Sequence, residues 1–286
     1  MTGSEWIMKK ITIPTGAQQA DLVYKVIGDR SLELTFLPPY EKKYEKAPLY
    51  FVIPGGGWHM EKRADMIDFS LKSIETLRKE GFAVVGIDYR VYSEENIVMR
   101  DIISDCFDAM RYVAHYADVL EIDKDKVVMS GHSAGGHLAL MLSYAPHDLF
   151  RNDSTFDDEF TVKVSAPISP PTILYSEGVP QTLNFNPTGV FQDNDTEEER
   201  RVTSPVSYVT ENCPPTILTA GTSDRLVYSN SSEILYDMLC EKNVKCKLVH
   251  SIGGGHVFEQ IHKQIEPTPS RDEIQDIISE FILNNI

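Results

Sequence analysis

The sequence predicts an α/β fold in which a mostly parallel sheet of about eight strands is flanked by helices. Apolar runs rich in Val and Ile alternate with segments of helical periodicity along most of the chain. The runs are nearly continuous instead of alternating with polar residues, which is typical of strands buried on both faces of a parallel sheet. Strands that alternate with helices in this way indicate a parallel α/β sheet.

The elements follow in a regular order. Residues 20–37 alternate apolar and polar side chains, and we expect antiparallel edge strands there. Six further strands, each a continuous or nearly continuous apolar run, are predicted at 48–54, 82–87, 126–130, 161–168, 215–220 and 244–250. Five helices, each with an apolar stripe, are predicted at 64–79, 97–116, 133–144, 229–240 and 271–283. Residues 175–201 are rich in Pro, Asn, Gly and acidic side chains, and we expect a short insertion over the carboxyl edge of the sheet.

Composition and charge narrow the classes of function. The chain has 286 residues, of which 42% are apolar and 24% charged, and we expect one domain spanning residues 1–286. Its 27 basic and 43 acidic residues give a formal net charge of -16 at pH 7. Such a surface repels phosphate backbones and anionic membranes, so we expect neither nucleic acid nor a membrane as a partner.

The beginning of the chain and its cysteines favour a cytoplasmic protein. The first residues contain no apolar core of the length that a secretory signal needs, and no later stretch approaches a membrane span. The cysteines lack C-x-x-C spacing, so we expect buried free thiols and neither disulfides nor zinc. These residues are Cys106, Cys213, Cys240 and Cys246.

The strongest motif is S-G-H-S-A-G-G-H at residues 130–137, directly between a predicted strand and a helix rich in Ala and Leu. Residues 131–135 read G-x-S-x-G in the strand, turn and helix context that a nucleophile elbow requires. The sharp turn presents the hydroxyl of Ser133 at the carboxyl edge of the sheet, near the positive end of the helix. Ser133 is therefore the predicted nucleophile, and a purely structural turn is the alternative.

A serine hydroxyl is a weak nucleophile and needs a base that is oriented by a carboxylate. Behind an elbow of this kind the partners follow in the order Ser, Asp or Glu, His, each on a loop after a later strand. Asp224 follows one predicted strand in G-T-S-D, and His256 follows the next in G-G-G-H. We predict that Asp224 fixes the imidazole tautomer and that His256 is general base and then general acid.

Other residues compete for these roles. Asp224 could instead only cap the segment that follows it. His132 and His137 flank the nucleophile, but the following helix is expected to turn them away from its hydroxyl. His59 lies beside a glycine run and could line the substrate pocket. No H-E-x-x-H or similar spacing indicates a metal site, and no cofactor is expected.

The glycine run stands in I-P-G-G-G-W-H at residues 53–59, just after a predicted strand. Glycines in this position let backbone amides approach an anion, which could be a phosphate or the oxyanion of a tetrahedral intermediate. The phosphate motifs G-x-x-x-x-G-K-[ST] and G-x-G-x-x-G are absent. We therefore expect an oxyanion hole, with one donor from the amide of Ala134 and a second from the loop that carries Gly55, Gly56, Gly57 and Trp58.

In this order the motifs resemble the α/β-hydrolase superfamily, and within it the esterase/lipase group with an H-G-G-G oxyanion motif, closest to its acetyl-xylan and feruloyl esterase-like branch. The resemblance runs from about residue 32 to the end of the chain. The shared stretches are L-E-L-T-F-L-P, P-G-G-G-W, D-Y-R, G-H-S-A-G-G-H, S-P-V-S-Y-V, P-P-T-I-L, G-T-S-D and G-G-G-H-V-F.

The resemblance implies an α/β-hydrolase fold, a triad and an oxyanion hole. The residues it implies are Ser133, Asp224 and His256 for the triad, and the amides of Gly56, Gly57 and Ala134 for the hole. In some members the amide of the aromatic residue, here Trp58, contributes instead of a glycine. One residue departs from the family pattern: Pro54 stands where relatives have a histidine that braces the loop.

The resemblance further implies a serine carboxylesterase, and we expect acetylated sugars or xylo-oligosaccharides as substrates. The 175–201 insertion is short for a lipase lid, which favours a short acyl group such as acetyl. Trp58 could stack on a sugar ring, or it could be a buried structural residue. An arylformamidase, or an amidase or peptidase-like hydrolase with the same triad, is the alternative, and a non-catalytic binding protein that keeps the fold is another. The sequence leaves open whether the protein forms homo-oligomers.

Overall fold

A computed structural model of the protein describes residues 16, 18–60, 63–151, 156–175 and 196–286. Its main feature is one sheet of eight strands in the order β1-β2-β4-β3-β5-β6-β7-β8. The strands are β1 (Ala20–Ile27), β2 (Arg30–Leu37), β3 (Ala47–Ile53), β4 (Ala83–Ile87), β5 (Ile122–His132), β6 (Val162–Ile168), β7 (Thr216–Gly221) and β8 (Cys246–Ser251). Strand β2 is antiparallel to both of its neighbours, and the other neighbouring pairs are parallel.

Helices cover both faces of this sheet. They are α1 (Arg63–Lys79), α2 (Met99–His115), α3 (Ala134–Tyr144), α4 (Glu197–Val202), α5 (Asn230–Glu241) and α6 (Arg271–Leu283). Helices α1 and α6 share one apolar cluster with the sheet, while α2, α3 and α5 pack against its opposite face. Every residue of β3 is therefore buried, which explains its continuous apolar run. The predicted fold class, with antiparallel strands at the N-terminal edge, is confirmed.

Several boundaries are shifted from the prediction, and for two of them the structure shows the cause. Strand β5 begins at Ile122 and not at residue 126, because the charged segment before the apolar run pairs with the start of β3 across a register shift. Helix α2 begins at Met99 and not at residue 97. The Asp101 carboxylate accepts a hydrogen bond from the Val98 amide at 3.2 Å, which satisfies a free donor at the start of the helix.

The predicted insertion at 175–201 falls largely on residues 176–195, which lie outside the described residues. Its last part forms the short helix α4, whose first turn is capped by Thr196, the hydroxyl accepting a hydrogen bond from the Glu199 amide at 3.2 Å. Within the described part of the chain, no helix has the length and apolar character needed to cross a bilayer.

Burial was predicted for all four cysteines and is correct for Cys106, whereas Cys213 and Cys246 are half-buried and Cys240 is exposed. The side chain of Cys106 is fully enclosed between α2 and the sheet, whereas Cys240, near the end of α5, is exposed. Its sulfur lies 3.3 Å from that of Cys246 at the start of β8. In α5, Leu235 and Leu239 face the core, so the next residue, Cys240, faces solvent.

Candidate active site

Ser133 stands in the sharp turn between β5 and α3, with φ 56° and ψ -121°. This is a strained conformation for a residue with a side chain, and such strain persists only where the surroundings fix it. The Ser133 amide donates a hydrogen bond to the carbonyl oxygen of Ile168 at 2.8 Å, at the end of β6. The neighbouring strand thus holds the predicted nucleophile at the carboxyl edge of the sheet.

Glycines around Ser133 permit this turn. A Cβ atom added to Gly135 would overlap the carbonyl oxygen of Ile53, at the end of β3. One added to Gly131 would lie 2.7 Å from the same oxygen. Helix α3 therefore starts directly against the end of the adjacent strand, where only a backbone without side chains fits.

Asp224 and His256 form a hydrogen-bonded pair at the same edge. His256 Nδ1 lies 2.6 Å from Asp224 Oδ2, and the other carboxylate oxygen accepts hydrogen bonds from the amides of Leu226 at 2.8 Å and Val227 at 3.0 Å. The Asp224 side chain is fully buried. A carboxylate only accepts, so Nδ1 carries the proton and Nε2 is left to take up another. Asp224 thus caps the segment after it and also orients the histidine.

Two loops meet to form this pair. A Cβ atom added to Gly221, at the end of β7, would overlap the carbonyl oxygen of Gly255. The Ser223 amide donates to the carbonyl of Gly254 at 2.9 Å. This backbone contact brings the loop that carries Asp224 onto the loop that carries His256.

His132 connects His256 to the nucleophile. Its ring lies 4.6 Å from the ring of His256 between centroids, and its Nε2 lies 3.1 Å from the His256 carbonyl oxygen. Since His132 directly precedes Ser133, this contact brings the elbow and the histidine loop together. The sequence predicted only that His132 would be turned away from the Ser133 hydroxyl. Its contact with His256 was not predicted, and the one signal for it is the place of His132 next to the elbow.

The glycine loop runs beside Ser133 because β3 and β5 are neighbours, with Ile53 paired to Gly131. A Cβ atom added to Gly55 would lie 2.8 Å from the carbonyl oxygen of His132 and 3.5 Å from Ser133 Cβ. The loop then turns through three positive φ values, 121° at Gly56, 62° at Gly57 and 60° at Trp58. The amides of this loop therefore lie next to the predicted nucleophile.

Residues after β4 brace this loop. The buried hydroxyl of Tyr89 donates a hydrogen bond to the carbonyl oxygen of Pro54 at 2.8 Å. At the other end of the turn, the Tyr92 amide donates to the carbonyl oxygen of Trp58 at 2.8 Å. Pro54 stands where the family pattern has a bracing histidine. In this chain the brace is a hydrogen bond from Tyr89, of the D-Y-R motif, to the carbonyl oxygen of Pro54.

Trp58 is buried under the loop, with only 1% of its surface exposed. Its ring packs edge-on against His137 of α3, at 5.2 Å between centroids. This burial argues against stacking on a sugar ring and favours the structural alternative. His59 is half-buried, and its ring packs against Tyr92 at 5.4 Å between centroids.

His137 supports Trp58 from within the protein. Its Nε2 donates a hydrogen bond to the carbonyl oxygen of Thr203 at 2.7 Å, and burial lowers its pKa to about 4. It therefore remains neutral at physiological pH. Among the described residues, no group of three His, Cys, Asp or Glu side chains is arranged to hold a metal ion.

Comparison with known proteins gives a family and a fold. A family model described as BD-FAE matches residues 35–239. The methylphloroacetophenone synthase of Cladonia uncialis is 32% identical over 143 residues, and the probable carboxylic ester hydrolase LipM of Mycobacterium tuberculosis is 26% identical over 198 residues. These matches cover 47% and 68% of this chain, but only 6% of the synthase and 45% of the hydrolase.

A solved structure of Thermogutta terrifontis esterase 2 with butyrate bound superposes with a TM-score of 0.78 at 24% identity, over 93% of this chain and 94% of that one. The same esterase with propionate bound gives a TM-score of 0.77. The likeness shows that the two proteins share the α/β-hydrolase fold.

Proposed function

The chain belongs to the BD-FAE family of α/β-hydrolase esterases, and on that premise we propose that it is a serine carboxylesterase that hydrolyses short-chain acyl esters through an acyl-enzyme. One observation supports this proposal most. The buried carboxylate of Asp224 lies 2.6 Å from His256 Nδ1, between Oδ2 and the ring nitrogen, and the His256 ring contacts His132 of the elbow that presents Ser133.

The proposed reaction follows from these contacts. Ser133 Oγ attacks the ester carbonyl while His256 Nε2 accepts the hydroxyl proton, and Asp224 stabilises the imidazolium that forms. His256 then gives the proton to the departing alcohol, which leaves the acyl group on Ser133. Water, activated by His256, attacks this acyl-enzyme and releases the acid. The carboxylate therefore acts through the histidine, and the serine alone bonds to the substrate.

Backbone amides would stabilise the negative charge of the tetrahedral intermediate. The amide of Ala134 is one of the free donors at the start of α3, where the helix dipole also favours an anion. We propose that Gly56 or Gly57, in the loop beside Ser133, supplies the second donor, with the amide of Trp58 as the third candidate. Loss of one such donor lowers kcat by about 10²- to 10³-fold in other serine hydrolases.

We propose acetylated sugars or xylo-oligosaccharides as the substrate class, with His59 lining the alcohol side of the site. The butyrate and propionate bound to the Thermogutta esterase support a short acyl group. The position of His59 supports a substrate with a polar alcohol group, because its half-buried imidazole lies beside the glycine loop and can form hydrogen bonds. The burial of Trp58 leaves the recognition of a sugar ring to other side chains.

Turnover of p-nitrophenyl esters tests the activity. We expect Ser133→Ala to abolish turnover while circular dichroism and thermal unfolding stay unchanged, and Asp224→Asn to lower kcat by several orders of magnitude. Ser207→Ala is the matched control, because Ser207 is exposed and its hydroxyl contacts only the nearby carbonyl of Arg201 among the described residues.

A substrate panel tests the class. It compares acetyl, butyryl, hexanoyl and octanoyl esters with acetylated xylo-oligosaccharides, aryl formamides and amino-acid amides. We expect the highest kcat/KM on acetyl esters. A higher value on formamides or amides would transfer the assignment to the alternative hydrolase. A folded wild-type protein that neither turns over an ester nor reacts with a fluorophosphonate at Ser133 would contradict catalysis altogether.

A further inference from the structure

The backbone carbonyl oxygen of His256 accepts hydrogen bonds from two side chains. His132 Nε2 lies 3.1 Å from this oxygen, and the hydroxyl of Ser169 donates to it, also at 3.1 Å. His132 ends β5, and Ser169 directly follows the adjacent strand β6. The loop that carries His256 is thus fastened to the two strand ends beside the nucleophile.

The protonation state of His132 is the one that a permanent hydrogen-bond donor requires. Burial lowers its pKa to about 3, and the neighbouring charge of His256 acts in the same direction. The ring therefore remains neutral at the pH at which an esterase works. A neutral imidazole has one N–H, and the carbonyl partner requires that it stand on Nε2. His132 is thus held in one tautomer, with its single N–H donated to the His256 carbonyl oxygen.

The backbone of Ser169 gives an independent indication. Its φ is 46°, in the left-handed region that favours glycine, and its amide donates to the carbonyl of Thr219 at 2.9 Å. Such a conformation costs a non-glycine residue about 1 kcal/mol or more, and it is typical of functional sites. Glycine would adopt it without strain but would have no hydroxyl. The serine is therefore explained by the hydrogen bond that its side chain makes.

We propose that His132 and Ser169 are positioning residues for His256: together they fix its backbone so that the imidazole, held at Nδ1 by Asp224, stays aligned with Ser133. The inference rests on the proposed function, because it assigns a role relative to the general base. Neither residue acts on the substrate. With the carbonyl fixed at one end and Nδ1 at the other, rotation of the side chain can no longer carry Nε2 away from the serine hydroxyl.

Ser169→Gly is the sharpest test, since it removes the hydroxyl and relieves the backbone strain. We expect the thermal unfolding midpoint to stay the same or rise, while kcat falls about tenfold, which corresponds to about 1.4 kcal/mol in the barrier, and KM hardly changes. A merely structural role predicts that activity follows stability. Equal kcat in Ser169→Gly and the wild type would overturn the proposal.

Variants of His132 supply a rescue. His132→Leu removes the donor, whereas His132→Gln places an amide N–H near the position of Nε2. We expect His132→Leu to lower kcat about tenfold and His132→Gln to recover most of it. In the double variant with Ser169→Gly the losses should be less than multiplicative, because both donors serve one oxygen. Equal losses in the Leu and Gln variants would contradict the role of the donor.

Hydrogen exchange tests the same inference without turnover, so that its failure is distinct from failure of the proposed esterase activity. We expect amides at residues 252–258 to exchange faster in Ser169→Gly and His132→Leu than in the wild type, and unchanged in Ser133→Ala and Ser207→Ala. Unchanged exchange in the first two variants would refute the positioning role even in an active esterase. Faster exchange in an enzyme without ester turnover would refute only the proposed reaction.

Discussion

The nucleophile elbow at residues 130–137 and the glycine loop at residues 54–60 lie side by side, and both are rich in glycine, yet they are held in different ways. The elbow is fixed by backbone contacts with two neighbouring strands, since the glycines on either side of Ser133 pack against the end of β3 and the Ser133 amide bonds to the end of β6. The loop is held by residues from elsewhere, at one end by the Tyr89 hydroxyl and at the other by the Tyr92 amide.

Gly135 of the elbow and Gly57 of the loop serve different needs. In the elbow, Gly135 allows close approach, because any side chain would meet the carbonyl oxygen of Ile53. In the loop, Gly57 supplies a positive φ of 62°, and a Cβ atom there would have no atom within 4 Å. The comparison teaches that the same residue type marks a steric limit in one place and a conformational one in the other.

The largest expected effect is on the elbow. Gly135→Ala should prevent folding or lower the free energy of unfolding by about 3 kcal/mol or more, although Gly→Ala within a helix is normally stabilising. Gly57→Ala, the matched change in the loop, should cost about 1–2 kcal/mol, because only its φ is unfavourable. Urea unfolding monitored by circular dichroism measures both. Equal losses of unfolding free energy in the two variants would contradict the distinction between a steric limit at Gly135 and a conformational one at Gly57.

A second prediction concerns His137, which belongs to the elbow helix but supports Trp58 of the loop. Its folded pKa of about 4 lies below the ordinary 6.5. Its contribution to stability is therefore complete above pH 6.5 and is lost as the pH falls toward 4. The stability contribution of His132 is lost on acidification in the same way, because its pKa is lowered to about 3.

Urea unfolding at several values between pH 6.5 and 4 measures this loss. We expect His137→Gln to reduce the pH slope of the unfolding free energy by about 1.4 kcal/mol per pH unit, which is the contribution of one proton. The slope is informative even if the variant is less stable at neutral pH. An unchanged slope would show that His137 is not held neutral in the folded protein.

The smallest effect is expected for the brace of the loop. Tyr89→Phe leaves the carbonyl oxygen of Pro54 without its hydroxyl donor, which should cost about 1 kcal/mol of stability. If the loop carries an oxyanion donor, kcat should fall about tenfold with little change in KM. Tyr40→Phe is the control, because the Tyr40 hydroxyl bonds to Glu75 at an exposed site. A Tyr89→Phe variant with full kcat would show that the loop keeps its shape without the side-chain brace.

Much of the fold was predictable because its signals are local. Continuous apolar runs mark β3 and β4, and the stripe of α2 marks a helix. Strand β5 was predicted too short, because its first residues are charged and become part of the strand only by pairing with β3. For Cys240 the predicted burial was wrong, because cysteine spacing does not tell which way the helix that carries a residue faces the sheet.

By itself the sequence determined the parallel sheet, the elbow, and the order in which Ser133, Asp224 and His256 follow successive strands. Parallel strands end at one edge, so this order was sufficient to predict that Asp224 and His256 would meet. Only the tertiary structure decided that Tyr89 braces the loop, that Trp58 is buried, and that His132 and Ser169 hold the His256 carbonyl. Such contacts join segments far apart in the chain, and their geometry depends on strand register and packing, which no local pattern encodes.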